Sequence, residues 1–348
     1  MSLFSIPPRI YFKYGSSAIA LTEIAAMKSV LIISDENIFK TGLINELRKA
    51  LPKGLRTSII TITADEPSIE SVEHIAQNAR SFNPDCWIGF GGGSILDKTK
   101  LARFCYLSGM SVEELIAVEK LPYLGARVHE STMVLIPTTS GAGAEVSPYL
   151  SVVTPEKRHR LYSTHFLPFT TITDAIYTKD LPVSLVKSGG IMALSHAITG
   201  HDDLFFNTAT AAITLMENLN ESCEGILSAR ISCHHAATQA GIALNTAEPN
   251  IIDKLANAIE DDIKIGYSNV VAALLYAYVQ KNELTMLLDT LRMDKPTFIT
   301  KIEAVYDGMG YPRKISEIDP SLHGKVYMGV VADHNLTEEE HEIAVAAM

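Results

Sequence analysis

Short apolar runs alternate with amphipathic segments through the first half of the chain. Four of these runs predict buried parallel strands, because they are rich in apolar residues and end at polar, glycine or proline residues: residues 29–34, 57–62, 85–90 and 132–136. Residues 42–51 and 70–82 carry apolar side chains at helical spacing. This order predicts a parallel sheet with right-handed crossovers and therefore an α/β domain.

The second half has a different pattern. Long stretches rich in Ala and Leu predict helices at residues 184–199, 207–219, 221–244, 251–261, 269–280, 295–309 and 337–347. Pro182 suits the first turn of a helix, so we place the domain boundary near residue 180. We expect a parallel-sheet α/β domain over residues 1–180 and an all-helical domain over residues 181–348.

Composition narrows the class of protein. A length of 348 residues fits two ordinary domains, and 47% hydrophobic residues are sufficient for packed cores. The formal net charge of −11 argues against a nucleic-acid partner, which would need a basic face. No apolar run reaches the roughly 18 residues that span a bilayer, and the N-terminal residues lack a secretory-signal pattern. The four cysteines show no C-x-x-C spacing, so we expect reduced thiols in a cytoplasmic protein.

A glycine-rich turn follows the third predicted strand and opens a helix. Glycine has no Cβ, so backbone N–H groups can approach a phosphate closely, and the N-terminus of a helix favours negative charge. The alternative is a tight strand-to-helix turn without a ligand, but the combination of residues favours a phosphate. The candidate cofactor-binding residues of this segment are Gly91, Gly92, Gly93, Ser94, Asp97 and Lys100.

A second loop of small and hydroxyl-bearing residues follows the fourth predicted strand. Thr138, Thr139 and Ser140 offer hydroxyl donors, although a polar loop without a ligand is the alternative. Two such loops at neighbouring strand ends lie where open α/β sheets bind dinucleotides. Asp35 directly follows the first predicted strand, where a carboxylate can accept from a ribose 2′-hydroxyl and repel a 2′-phosphate. The candidate ligand is therefore NAD, unless Asp35 is an ordinary turn residue.

Three longer motifs carry a resemblance to a known family: GGGSILDKTK at residues 91–100, IPTTSGAGAEVSP at 136–148 and GGIMALSHAIT at 189–199. They resemble the GGGSxxDxAK, IPTTxGTGSEVTP and GxDALTHAIE motifs of the iron-containing (group III) alcohol dehydrogenases. Residues 240–245 match that family's AGxAFxNA region in spacing. The resemblance implies a Rossmann-like domain that binds NAD(P), a helical domain of the dehydroquinate synthase-like type, and an active site in the cleft between them. It also implies that Asp35 occupies the position that discriminates NAD from NADP.

The metal site is where the sequence departs from the family. The resemblance implies four ligand positions, an Asp and a His four residues apart and two later His, and these are occupied here by Met192, His196, Asp253 and Tyr267. A thioether suits a hard divalent ion poorly, and catalytic zinc usually keeps three protein ligands. We therefore predict that no iron or zinc is bound. Asn257 falls where the family usually has a His near the nicotinamide.

Three other histidines are possible substitutes as ligands, but their spacing is unfavourable. His201 lies five residues after His196 and so points away from its face of the helix. His234 and His235 are adjacent and cannot both face one site on a helix.

The leading function is NAD(P)-dependent hydride transfer with a small alcohol, aldehyde or ketone, without the family's metal, as in the similar maleylacetate reductases. The candidate catalytic residues are His196, Asp253 and Asn257, although His196 alone is also compatible with a structural role. One alternative is an inactive dinucleotide-binding sensor. A lyase of the dehydroquinate synthase type is weaker, because it would need a metal and several basic residues. By resemblance, a homodimer or higher homo-oligomer is expected.

Overall fold

The computed structural model describes residues 5–155, 157–200, 208–245, 250–322 and 336–348. The chain divides into two compact units. The sheet unit contains residues 5–139 together with Gly143–Asp180, and the helical unit contains Ser140–Ala142 and the residues from Leu181 onward. No helix of the described ranges is both long and apolar enough to cross a membrane.

The described part of the sheet unit contains one parallel sheet and one antiparallel hairpin. The strands are β1 (Arg9–Phe12), β2 (Ser29–Asp35), β3 (Arg56–Ile62), β4 (Cys86–Gly91), β5 (Thr132–Pro137), β6 (Tyr149–Val153), β7 (Arg158–Tyr162) and β8 (Thr170–Thr173). The parallel sheet has the order β1-β8-β5-β4-β2-β3, whereas β6 and β7 form a separate two-stranded sheet. The predicted parallel α/β sheet is thus confirmed.

Helices cover both faces of this sheet. They are α1 (Ser17–Ala20), α2 (Glu36–Lys40), α3 (Leu43–Ala50), α4 (Ile69–Phe82), α5 (Gly93–Ser108) and α6 (Val112–Ala117). Leu31 of β2 belongs to the same core as Ile75 of α4, whereas its neighbour Ile32 belongs to a second core with Leu47 of α3. Successive side chains of a strand point to opposite faces, so a strand buried on both faces is a continuous apolar run.

The helical unit has one large core of buried aliphatic and aromatic residues. Its helices are α7 (Val183–Thr199), α8 (Ala209–Cys223), α9 (Leu227–Ile242), α10 (Ile251–Ile263), α11 (Tyr267–Lys281), α12 (Thr285–Leu291), α13 (Lys295–Met309) and α14 (Glu338–Ala346). The expected mixed α/β fold with a helical C-terminal region is confirmed by these elements.

One predicted helix, over residues 221–244, is wrong as a single element. Helix α8 ends at Cys223 and α9 begins at Leu227. Gly225 lies between them with φ of +86°, and the amide of Ile226 donates to the carbonyl of Glu221. A left-handed glycine of this kind ends a helix. The apolar periodicity of residues 221–244 continues across this turn, and for that reason it predicted a single helix. The hairpin β6–β7, strand β8 and helix α12 were not predicted.

Candidate active site

The turn after β4 presents backbone amides at the start of a long helix. All six residues of β4 are buried, and the strand ends at Gly91. Helix α5 begins at Gly93, and its N-cap residue Gly92 has no capping side chain. The first amides of a helix have no acceptor within the helix, and the helix dipole favours an anion at this end. The turn therefore has the chemistry of a phosphate site.

The two glycines before α5 differ in what the fold itself requires. A Cβ on Gly91 would lie 2.7 Å from the Cβ of Ile95, which is far too close. A Cβ on Gly92 would lie 3.5 Å from the nearest atoms, in the side chain of Thr139, which is ordinary contact. Gly91 is therefore required by packing. Packing leaves room for a side chain at position 92, so a need for glycine there would have to come from a bound ligand.

The hydroxyl-bearing candidates of the sheet unit differ in exposure. Ser94 in the first turn of α5 and Thr139 after β5 are partly exposed. Thr138 is buried, and its amide donates to the carbonyl of Gly91 at 3.0 Å. Thr138 therefore ties the end of β5 to the glycine turn, while Ser94 and Thr139 remain accessible.

Asp97 and Lys100 pair with each other inside the sheet unit. The Lys100 side chain is fully buried, and its Nζ donates to Asp97 Oδ1 at 3.1 Å and to the Tyr149 carbonyl at 3.0 Å. Burial raises the pKa of Asp97, and the Lys100 ammonium opposes that rise. Both residues thus link α5 to the β6–β7 hairpin. Their contact with a cofactor stays a prediction.

Asp35 caps helix α2. It is the last residue of β2 and is 5% exposed. Its Oδ1 accepts from the amides of Asn37 at 2.8 Å and Ile38 at 3.1 Å. The cap fixes the carboxylate at the carboxyl end of the sheet, where the sequence places a ribose ligand. That role also stays a prediction.

In the helical unit, Ser140 contacts a buried histidine of α9. The Ser140 hydroxyl lies 2.8 Å from Nδ1 of His234, which is 1% exposed. Burial, and secondly the neighbouring His235, lower the pKa of His234 to about 3. His234 is therefore a neutral imidazole at physiological pH. It was not predicted as a partner of Ser140, because the two residues are 94 positions apart.

A second group in the helical unit joins three residues from three helices. His196 lies on α7, Asp253 in the first turn of α10, and Tyr267 at the start of α11. The His196 Nε2 atom lies 3.1 Å from Asp253 Oδ2, and the Tyr267 hydroxyl donates to Asp253 Oδ1 at 3.0 Å. The structure thus brings together the predicted pair His196 and Asp253. It adds Tyr267, which the sequence places only at one of the ligand positions implied by the resemblance.

The remaining candidates lie near this group in the chain but outside its hydrogen bonds. Asn257 is partly exposed and one turn after Asp253 on α10, and Met192 is partly exposed and one turn before His196 on α7. His201 lies outside the described residues.

The donor chemistry of this group does not fit a catalytic iron or zinc ion. Within the described ranges, no set of three His, Cys, Asp or Glu side chains is arranged to hold a metal. The Tyr267 hydroxyl donates a hydrogen bond to the carboxylate of Asp253, and the same carboxylate accepts a hydrogen bond from Nε2 of His196. Met192, at the remaining ligand position implied by the resemblance, offers only a thioether.

Comparison with known proteins places these features in context. Residues 7–175 match the family model described as iron-containing alcohol dehydrogenase. The chain is 28% identical over 299 residues to aldehyde-alcohol dehydrogenase 2 of Entamoeba histolytica, a match that covers 80% of this chain and 34% of that protein. It is 29% identical over 271 residues to an alcohol dehydrogenase of Thermococcus barophilus, covering 74% of this chain and 70% of that protein.

A solved structure has the same fold as this chain. The structure of sulfoacetaldehyde reductase from Bifidobacterium kashiwanohense in complex with NAD+ superposes with a TM-score of 0.86 at 18% identity, covering 99% of this chain and 98% of that one. This likeness confirms the predicted fold, and the family match over residues 7–175 agrees with the family predicted from the three motifs. Residues 7–175 thus carry the iron-containing alcohol dehydrogenase domain, and the chain is similar to dehydrogenases of 28–29% identity over 74–80% of its length.

Proposed function

We propose that the protein is an NAD-dependent oxidoreductase that interconverts a small alcohol and its aldehyde or ketone without a catalytic metal. The matched relatives are alcohol and aldehyde dehydrogenases, although the first of them is about three times as long as the matched region. The observation that carries the proposal is the hydrogen-bonded group of His196, Asp253 and Tyr267 at the positions of the family's ligands.

The cofactor part of the proposal rests on the sheet unit. The uncapped start of α5 after Gly92 would bind the pyrophosphate, with Ser94 and Thr139 as accessible hydroxyl donors. Asp35 would accept from a ribose hydroxyl and disfavour a 2′-phosphate, so the proposal specifies NAD rather than NADP. The related reductase with bound NAD+ supports a dinucleotide in this fold.

The helical unit would supply the acid–base chemistry. NADH, when bound, supplies the hydride that reduces the carbonyl carbon. The carbonyl oxygen then gains negative charge and must take up one proton, so a nearby donor lowers the barrier. His196 would lie beside this proton transfer, with Asp253 holding its ring through the 3.1 Å contact of Nε2. Tyr267 holds Asp253 in place, and the Asn257 amide would orient the substrate oxygen.

A second candidate is a dinucleotide-binding sensor without catalysis. It is favoured by one contrast: the glycine turn retains an uncapped helix start, whereas the ligand positions of the family have changed. The substrate class, a homodimer or higher assembly, and a cytoplasmic location belong to the proposal as well, and they rest on the sequence and the resemblance.

The test is NADH binding and turnover with and without metal. The protein is dialysed against a chelator, its metal content is measured, and NADH is titrated by fluorescence. A panel of small aldehydes and ketones is then assayed before and after addition of zinc or ferrous ions. We expect binding and turnover that do not depend on metal. Binding without turnover would favour the sensor. Activity that is lost on chelation and restored by metal would overturn the metal-free mechanism, and absence of NADH binding would overturn the whole proposal.

A further inference from the structure

We propose that His234 is a positioning residue that fixes the Ser140 hydroxyl as a hydrogen-bond donor to an acceptor oxygen of the bound dinucleotide. This inference rests on the proposed function, in which Ser140 is a cofactor-binding residue. It goes further, because it assigns a role to a buried histidine outside the motifs and gives the Ser140 hydroxyl a direction.

The backbone at Ser140 is held by close packing. A Cβ on Gly141 would lie 2.5 Å from Cα of Gly189 in α7, and a Cβ on Gly189 would lie 2.5 Å from the Ser140 carbonyl oxygen. Two glycines therefore let the loop backbone rest directly on the helix. Since the main chain is fixed, what remains to be set at Ser140 is the rotamer of the side chain and the direction of its proton.

His234 sets that direction through its tautomer. Its Nδ1 is 2.8 Å from the Ser140 hydroxyl, while its Nε2 is buried and has no hydrogen-bond partner in the described part of the chain. A buried N–H without an acceptor is rarer than a buried acceptor without a donor. The favoured tautomer therefore carries its proton on Nδ1 and donates to Ser140 Oγ. The serine proton is then free to point toward a ligand.

The environment of His234 keeps this arrangement constant with pH. Burial lowers the pKa of His234 to about 3, so the imidazole stays neutral across the range in which most enzymes work. A neutral imidazole with one N–H can act as a donor only at Nδ1 in the favoured tautomer. A directed serine donor suits the anionic oxygens of a phosphate or the carbonyl oxygen of a carboxamide, both present in NADH.

The test is an NADH titration of five proteins: wild type, Ser140→Ala, His234→Leu, His234→Asn and the double variant Ser140→Ala/His234→Leu. An Asn side chain can place an amide N–H close to the position of Nδ1–H, whereas Leu cannot. We expect the dissociation constant to rise about tenfold for Ser140→Ala and by a similar factor for His234→Leu. His234→Asn should stay close to wild type. The double variant should be no weaker than Ser140→Ala alone, because both changes remove one interaction.

Folding is monitored separately by thermal unfolding of each variant. His341→Leu, at an exposed histidine of α14, is the matched control and should leave both readouts unchanged. If wild type binds NADH and His234→Leu binds it equally well, the inference is overturned while the proposed function stands. If the two single effects multiply in the double variant, His234 acts independently of Ser140 and the inference is also overturned. If wild type does not bind NADH, the proposed function itself fails.

Discussion

The imidazole of His196 contacts the carboxylate of Asp253, with 3.1 Å between Nε2 and Oδ2. The His196 side chain is 3% exposed, and Asp253 is only slightly more accessible at 14%. A carboxylate beside an imidazole both orients the ring and stabilises its protonated form. In the proposed function this pair lies at the positions where the family resemblance implies metal ligands, and Asp253 orients the imidazole. This relationship makes the chemistry of the helical unit testable without knowledge of the natural substrate.

Asp253→Asn should lower kcat for aldehyde reduction by about 100-fold or more, the low end of general acid–base effects. The amide keeps the size of the carboxylate but removes the charged acceptor that holds the His196 ring. Because NADH contacts are assigned to other residues, its dissociation constant should change by less than about threefold. Steady-state kinetics and a fluorescence titration of the same preparation give both values.

Asp289→Asn is the matched control for this change. Asp289 lies on α12 in the same unit and is exposed, so its substitution should alter neither value. An Asp253→Asn variant with normal kcat and normal folding would remove Asp253 from the mechanism.

The sequence predicts the sheet well where physical constraints are local. Strands β2, β4 and β5 are apolar because both faces of the sheet are covered, and this shows as continuous runs. Strand β8 is buried too, yet it consists of three threonines and one isoleucine, and threonine in a short run is equally typical of a loop. Its β-branched residues are the signal that would have found it.

The site is predictable only in part, because its contacts are long-range. The motif resemblance places His196 and Asp253 at related positions, although they are 57 residues apart. The role of Tyr267 depends on the packing of α11 beside α10, which no periodicity reveals. Conversely, the sequence assigns Lys100 to the cofactor because of its place in a motif. In the structure its ammonium group is held by Asp97 and the Tyr149 carbonyl, and its contact with a cofactor stays a prediction.

The glycine turn yields a pair of variants that separates folding from ligand binding. Gly91→Ala should lower the free energy of unfolding by about 1–3 kcal/mol, because the new methyl group collides with Ile95. Gly92→Ala should cost at most about 1 kcal/mol, since alanine is only a somewhat poorer N-cap and has room beside Thr139. NADH affinity should nevertheless fall about tenfold or more in Gly92→Ala, because the methyl group blocks close approach of the pyrophosphate.

Urea unfolding and NADH titration measure the two effects in the same samples. The variants serve as controls for each other, because one mainly changes stability and the other mainly changes affinity. Equal NADH affinity of Gly92→Ala and wild type would show that the turn does not cradle the phosphates.

Lys100→Met should destabilise the protein more at pH 8 than at pH 5. Removing the ammonium leaves the buried carboxylate of Asp97 without its counter-charge, which typically costs about 3–5 kcal/mol. Burial already raises the pKa of Asp97, and loss of Lys100 raises it further. The pKa of Asp97 is roughly 3.9 in the unfolded chain and higher in the folded variant. At pH values between these two pKa values the folded state binds more protons than the unfolded state, so the free energy of unfolding falls as pH rises.

Urea unfolding at the two pH values checks the sign of this effect. The double variant Lys100→Met/Asp97→Asn is the control, because it has no buried charge to neutralise. Its stability should exceed that of Lys100→Met at pH 8 and show less pH dependence. A Lys100→Met variant with wild-type stability, but with weakened NADH binding, would instead support the cofactor role predicted from the sequence.

His234 should make the protein sensitive to acid. Its pKa is about 3 in the folded protein, against roughly 6.5 when unfolded, because burial disfavours the imidazolium. The unfolded state therefore binds more protons between these values. The stability contributed by neutral His234 is complete above about pH 6.5 and is lost as pH falls toward 3, by about 1.4 kcal/mol per pH unit. His234→Asn has no such group, so the stability difference between wild type and variant should shrink steadily from pH 7 to pH 4.

Urea unfolding at pH 7, 6, 5 and 4 measures this difference, and His74→Asn, at an exposed histidine of α4, is the matched control. Because the His74 side chain is exposed, His74→Asn should run parallel to wild type over the whole range. Parallel curves for wild type and His234→Asn would mean that the fold does not lower the pKa of His234, so that the imidazole takes up a second proton at mildly acidic pH. A protonated imidazole would donate from both nitrogens, and the tautomer that directs the Ser140 hydroxyl would then be lost.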